Sequence, residues 1–181
     1  HNEIKVSEEN LNDATLKSYY TKEMYYYLIS HLFLPKELDK ILYLDPDLLI
    51  LNSLKNLYER NIDNYLFLGA YHNTTPTKTI NKIRFLEHDL DKYYNAGVLL
   101  INLKNARKEI KVEDISSFIE ENSYKLILPD QDVLNALYSN RIKSIDEKLY
   151  NYDVRYFNLY KLMDNKFTIK YFVATMFRVN L

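Results

Sequence analysis

No cysteine occurs among the 181 residues. That excludes disulfide frameworks, zinc ribbons, iron–sulfur sites and cysteine nucleophiles together, and is compatible with a reducing compartment. Glycine is scarce as well, with two residues where average usage near 7% would give roughly 13. Two glycines cannot build a glycine-rich phosphate loop, so P-loop NTPases and standard Rossmann dinucleotide binders are excluded, and any nucleotide has to be held another way. Positive charge is not in excess: 24 Lys+Arg face 25 Asp+Glu for a net −1, interspersed along the chain, which argues against a nucleic-acid partner. The longest apolar runs, such as 41–44 and 98–101, fall far short of the ~20 residues of a membrane span, and there is no signal-peptide pattern. A soluble chain of this length buries roughly 70% of its unfolded surface and needs no staple. Tyrosine is abundant at 18 while Trp is absent; A/T-rich codons explain this as well as ring stacking on sugars or bases does.

The chain opens on polar residues 1–12 without an initiator Met, the expectation being a cut inside a larger protein. Residues 18–34 carry Tyr20, Met24, Tyr27, Leu28, His31 and Leu32 at three- and four-residue spacing, predicting an amphipathic helix stopped by Pro35. The period then changes. Apolar runs at 40–44 and 48–51 predict strands covered on both faces, as in a sheet flanked by helices. Ser53 is positioned to cap a helix through Glu59, residues 65–71 read as a strand, and 72–91 show no firm periodicity. A buried strand at 98–102, helices at 111–123 and 131–139 with Asp130 as N-cap, and a weaker strand at 141–145 complete a mixed α/β pattern. There is no internal repeat or linker, so a single domain over 1–181 is expected, with an unassigned tail at 157–181.

The most informative segment is Ile41-Leu42-Tyr43-Leu44-Asp45-Pro46-Asp47. A hydrophobic strand running into two carboxylates sets acids at the carboxyl edge of a sheet, where open α/β folds bind ligands. Asp45 and Asp47 are hard oxygen donors able to share a divalent cation, which can in turn take a diphosphate. Pro46 restricts both its own φ and Asp45. An ordinary Asp-Pro turn remains the alternative reading.

This segment resembles the Asp-x-Asp motif of retaining glycosyltransferase family 8, which includes lipopolysaccharide galactosyltransferases and glycogenin. Tyr94-Asn95-Ala96-Gly97-Val98-Leu99-Leu100-Ile101-Asn102 is similar to the family's aromatic-Asn-Ala-Gly strand, and Pro129-Asp130-Gln131-Asp132-Val133-Leu134-Asn135 to its Asp-Gln-Asp helix start. The likeness covers about residues 18–156 and implies a single-domain, GT-A-like mixed sheet flanked by helices, lacking terminal parts. It implies that Asp45 and Asp47 hold Mn²⁺ or Mg²⁺, bridging the diphosphate of a nucleotide-sugar, a UDP-sugar in this reading. Asn95, Ala96, Gly97 and Asp45 then bind the donor, and Asp130 and Gln131 are the catalytic candidates. It further implies hexosyl transfer to a saccharide, lipid-linked or protein acceptor, in the cytoplasm or at the inner face of the membrane, as in bacterial lipopolysaccharide biosynthesis.

Plainer roles stand beside these: a strand-entry turn for Asn95, a helix cap for Asp130 and a solvated first-turn acid for Asp132. The family pattern has Arg where Tyr27 stands, leaving Lys22 and Arg84 to compensate, and takes its third metal ligand from a late His segment that this chain lacks. His72 and His88 are the remaining candidates for that ligand, each otherwise an ordinary surface histidine, whereas His31 reads as packed. Two other classes stay open. One is a donor-binding or structural remnant of the same fold. The other is an Asp-x-Asp phosphatase, which fits poorly because Leu48-Leu49 occupies the hydroxyl-bearing position. Self-glycosylation on tyrosine, as in glycogenin, is a further option.

Overall fold

The computed structural model describes residues 25–71, 92–153 and 173–175. Its centre is a four-stranded mixed sheet in the order β1-β4-β3-β5, built from β1 (Lys40–Leu44), β3 (Phe67–Tyr71), β4 (Tyr94–Asn102) and β5 (Ile142–Ser144). β4 is antiparallel to β1, from Lys40↔Asn102 to Leu44↔Val98, and antiparallel to β3, while β3 and β5 run parallel. A second, small sheet joins β2 (Leu48–Ile50), β7 (Val173–Thr175) and β6 (Tyr152–Asp153) in the order β2-β7-β6. The helices are α1 (Lys55–Tyr58), α2 (Leu103–Glu109), α3 (Val112–Asn122), α4 (Pro129–Tyr138) and α5 (Glu147–Tyr150).

Successive side chains of a strand point to opposite faces, and β4 divides accordingly. Leu99 and Ile101 pack with Phe67, Ile115, Phe118, Val133 and Leu134 on the face covered by α3 and α4. Val98 and Leu100 pack with Leu57, Ile62, Ile145 and Tyr150 on the other. A strand buried on both faces reads as a continuous apolar run, which is why 98–102 was legible. The mixed sheet flanked by helices is the architecture expected.

The same expectation fails for 40–44 and 48–51. β1 is half-buried along its whole length because it forms an edge of the described sheet, and β2 leaves that sheet for the smaller one. Leu49 and Ile50 are accordingly 46% and 50% exposed. The change of sheet occurs in a turn at Asp45-Pro46-Asp47, where the Leu48 N–H donates to the Asp45 carbonyl.

Of the helix expected at 18–34, residues 18–24 lie outside the described residues. From Tyr25 onward the backbone closes in tight turns, Leu28 N–H to Tyr25 O and Leu32 N–H to Ile29 O, with a 3₁₀ turn at Ser30–Leu32. Tyr27, Leu28 and His31 are buried as expected, but the tighter winding swings Leu32 outward. Burial holds the His31 imidazole below its ordinary pKa and so neutral. α1 starts later than expected, with Leu54 as N-cap and the Ser53 hydroxyl accepting from the Lys55 N–H.

The helix α2 was not anticipated. Its N-cap is Asn102, the last residue of β4: the side-chain oxygen accepts from Asn105 N at 3.0 Å, while Nδ2 donates to Ile62 O at 3.1 Å and Tyr65 O at 3.2 Å. One buried amide therefore ends a strand, starts a helix and ties down the 62–65 loop. Asn102→Ala removes the cap and one of two donors to each of those carbonyls, Tyr65 N remaining on Ile62 O and Asn105 Nδ2 on Tyr65 O, an expected loss of about 2–3 kcal/mol. Thermal unfolding should show a midpoint lower by about 4–12 °C; a shift under about 1 °C would contradict this role.

Candidate active site

The site is organised by a break in the central sheet. β3 and β4 pair in register from Phe67↔Ile101 to Gly69↔Leu99, then slip so that Tyr71 faces Tyr94. In that interval the β4 backbone is bonded by side chains of α4. Asn135, fully buried, accepts from Tyr94 N at 2.6 Å and donates to Tyr94 O at 2.7 Å. One helical turn earlier, Gln131 Oε1 accepts from Ala96 N at 3.1 Å. A helix thus takes the place of a ladder partner, and Gln131 is thereby drawn against residues 94–97.

Gly97 explains the next layer. A Cβ built on it would lie 3.0 Å from Asp45 Oδ2 and 3.0 Å from Asn95 Oδ1. With any other residue the carboxylate and the amide would both have to give way by a few tenths of an ångström; glycine lets them approach together, and the Asp45 N–H donates to Gly97 O at 2.9 Å to hold them there. Asn95 Oδ1 accepts from Gly97 N at 2.7 Å and from the amide of the fully buried Asn151. Backbone N–H groups can only donate, so the Gly97 and Ala96 contacts fix both amide orientations. Asn95 Nδ2 and Gln131 Nε2 make no hydrogen bond among the described residues and are left as donors.

The Asp45 side is held by two tyrosines. Tyr43 Oη donates to Asp45 Oδ1 at 2.7 Å. The Tyr43 ring packs on that of Tyr27, with centroids 4.9 Å apart, and Tyr27 Oη donates to the Asp130 carbonyl at 3.0 Å. Burial, with Asp47 nearby as a secondary cause, raises the Asp45 pKa; burial and then Asp45 raise that of Asp130. Both tyrosine hydroxyls are pushed up, by burial first, and stay protonated as donors.

Asp45, Asn95, Ala96, Gly97, Asp130 and Gln131 are therefore brought to one edge. Asp47 is exposed in the turn before β2 and acts on Asp45 through its charge. Two expectations fail on α4. The N-cap is Leu128 with Pro129 opening the helix, so Asp130 lies inside the first turn and does not cap it. Asp132 is not solvated: it is 0% exposed and its carboxylate accepts from Ile127 N at 2.7 Å, Leu128 N at 3.1 Å and the Tyr93 hydroxyl. The proline start moves the helix upstream and turns Asp132 back onto the loop it follows.

Tyr27 was noted for standing where the family pattern has Arg, without a role of its own, and Tyr43, Asn135 and Asn151 were not picked out as site residues. Tyr43 was within reach, since residues two apart share a strand face, and Asn135 likewise at i+4 from Gln131. Asn151 carries no local signal. Lys22, Arg84, His72 and His88 lie outside the described residues. Among the described residues no three His, Cys, Asp or Glu side chains gather as a metal cage, and no helix is long and apolar enough to cross a membrane.

Known proteins resemble this chain in sequence and in fold. The model of Glycosyl transferase family 8 matches residues 1–172. General stress protein A of Bacillus subtilis is 28% identical over 137 residues, covering 74% of this chain and 47% of the relative. A lipopolysaccharide 1,2-glucosyltransferase of Escherichia coli is 29% identical over 147 residues, 79% of this chain and 43% of the relative. The chain thus spans less than half the length of these two curated relatives. The crystal structure of galactosyltransferase LgtC, in complex with donor and acceptor sugar analogs, superposes with a TM-score of 0.67 at 25% identity, over 83% of this chain and 56% of that one.

Asp132→Ala removes the acceptor of the buried Tyr93 hydroxyl and of two part-buried backbone N–H groups and should cost about 3 kcal/mol in urea unfolding, since hydrogen bonds to charged groups contribute about 1.5–3 kcal/mol each and do not add fully. A loss under about 1 kcal/mol would restore the solvated reading.

Proposed function

The chain belongs to Glycosyl transferase family 8, and from that premise we propose that it carries the donor site of a metal-dependent, retaining glycosyltransferase that moves a hexose from a UDP-sugar to a saccharide or cell-envelope acceptor. The observation that carries this reading is the meeting of Asp45, Asn95, Gly97 and Gln131 at one sheet edge.

Asp45 and Asp47 fit a hard divalent cation. They are oxygen donors, Asp45 Oδ2 borders the space that the missing side chain of Gly97 leaves open, and the mutual repulsion of Asp45, Asp47 and Asp130 is of the kind a cation offsets. When bound, Mn²⁺ or Mg²⁺ supplies charge neutralisation of the donor diphosphate as the sugar–phosphate bond breaks.

The residues of the chain do the rest. The free amide group of Asn95 donates to a hydroxyl oxygen of the sugar, with the Asp130 carboxylate accepting from another hydroxyl. Ala96 and Gly97 supply a backbone surface without bulk against which the sugar ring lies. Gln131 is an amide and a poor nucleophile, which disfavours the double displacement that retaining hydrolases use. We favour attack by the acceptor hydroxyl on the face the phosphate leaves. The acceptor O–C1 bond forms, the C1–O–phosphate bond breaks, and the acceptor proton passes to the departing phosphate oxygen. Gln131 is anchored through Oε1 on the Ala96 N–H, and the second lone pair of that oxygen is the part of the amide able to stabilise positive charge at the anomeric carbon.

A second reading, a donor-binding remnant without turnover, is favoured by one observation: among the described residues no three His, Cys, Asp or Glu side chains gather closely enough to hold a metal ion. Hydrolysis of UDP-glucose and UDP-galactose with and without Mn²⁺ separates the two. The transferase reading expects Mn²⁺-dependent turnover, about 100-fold lower or less in Asp45→Asn, and a drop in kcat of about 100-fold in Gln131→Ala with donor KM nearly unchanged. Full turnover in Gln131→Ala removes the role given to that residue; donor binding without any turnover leaves the remnant.

A further inference from the structure

We propose that Tyr43 is a positioning residue that restricts Asp45 to engaging a divalent cation through one carboxylate oxygen, and thereby biases the site toward small cations. The inference deepens the proposed donor site and rests on that reading.

Tyr43 and Asp45 are two apart in the β1 direction and share a face, so the phenol reaches the carboxylate directly. Tyr43 Oη donates to Oδ1 at 2.7 Å, while Oδ2 is the oxygen that borders the vacant Cβ position of Gly97. The two oxygens of one carboxylate are thus assigned different partners. Bidentate chelation needs both oxygens turned to the same ion, and the Tyr43 bond opposes that rotation.

The phenol is itself held in place. Its ring lies on Tyr27 at 4.9 Å between centroids and 31° between planes. Tyr27 is 3% exposed and its hydroxyl is fixed on the Asp130 carbonyl at 3.0 Å. From the other side, the Asp45 N–H is tied to Gly97 O at 2.9 Å. The carboxylate is consequently clamped at its backbone and at one oxygen, and the pair of stacked rings joins the cation half of the site to the first turn of α4.

Cation size then matters. Mg²⁺ demands near-octahedral coordination at short distances and suits carboxylates that give one oxygen, whereas Ca²⁺ takes six to eight ligands and accepts bidentate carboxylates readily. Holding Oδ1 on a phenol favours the former. Partners that orient a metal ligand typically change metal affinity by about 10–100-fold when removed.

The test is cation binding by the full chain in the presence of UDP, followed by the electron paramagnetic resonance of free Mn²⁺, with Mg²⁺ and Ca²⁺ as competitors. It needs no turnover. The wild-type chain should take Mg²⁺ in preference to Ca²⁺. Tyr43→Phe keeps the ring on Tyr27 and removes the hydroxyl; it should bind Mn²⁺ about tenfold more weakly and lose at least about fivefold of the Mg²⁺-over-Ca²⁺ preference. A merely structural role would move the unfolding temperature and leave that ratio alone. Unchanged affinity and ratio in Tyr43→Phe, with Asp45→Asn abolishing binding, would overturn this inference while leaving the donor site standing. A wild-type preference for Ca²⁺ overturns it even if the variant fails to fold. No Mn²⁺ uptake by the wild-type chain overturns both the inference and the reading beneath it.

Discussion

Side-chain amides from one helix bonded to the backbone of one strand are the constraint on which the site depends. Where the β3–β4 ladder slips, Tyr94 and Ala96 would be left with polar groups lacking strand partners, and Asn135 and Gln131 supply them. Buried backbone groups require such partners, so the requirement couples helix position to strand position. Because Gln131 and Asn135 are one turn apart, satisfying the strand also fixes the rotation of α4, which determines where Asp130 stands. Asp132 completes the arrangement by binding the loop ahead of the helix.

The opposite half of the site is arranged by omission. Gly97 removes one carbon, and that gap admits the Asp45 carboxylate and the Asn95 amide to the same small volume. In a chain with two glycines, one of them stands where a side chain would crowd both groups. The result concentrates negative charge and outward-facing amide donors, with two protonated phenols behind them. On the proposed reading, this is the surface that would receive the cation and the donor.

What could be read from the residues alone follows from distance along the chain. β4, β3 and α3 were legible because burial on two faces or on one helical stripe leaves a periodic apolar record. The Asp-Pro-Asp turn was legible because its chemistry is local, and the Asn-Ala-Gly segment because it resembles the family pattern. α2 was hidden: its buried contacts are Leu103 and Ala106, too few for a clear period. The partnerships Asn95–Asn151 and Tyr27–Asp130 span 56 and 103 residues, and nothing near either residue announces them. Asp132 misled because an acid in a helix's first turn is ordinarily exposed and stabilised by the helix dipole; only the return of residues 127–128 onto it reveals burial. The tail defied placement for the same reason, since the described strand β7 is three residues long and acquires meaning through β2 and β6.

Anomalous diffraction from a crystal grown with Mn²⁺ and a non-hydrolysable UDP-hexose would be the most direct check. The metal peak should lie within coordination distance of both Asp45 and Asp47, bound to the diphosphate, with the sugar ring against Asn95 and Gln131. A peak elsewhere, or a donor whose sugar lies away from residues 95 and 131, would contradict the reading of this edge as a donor site.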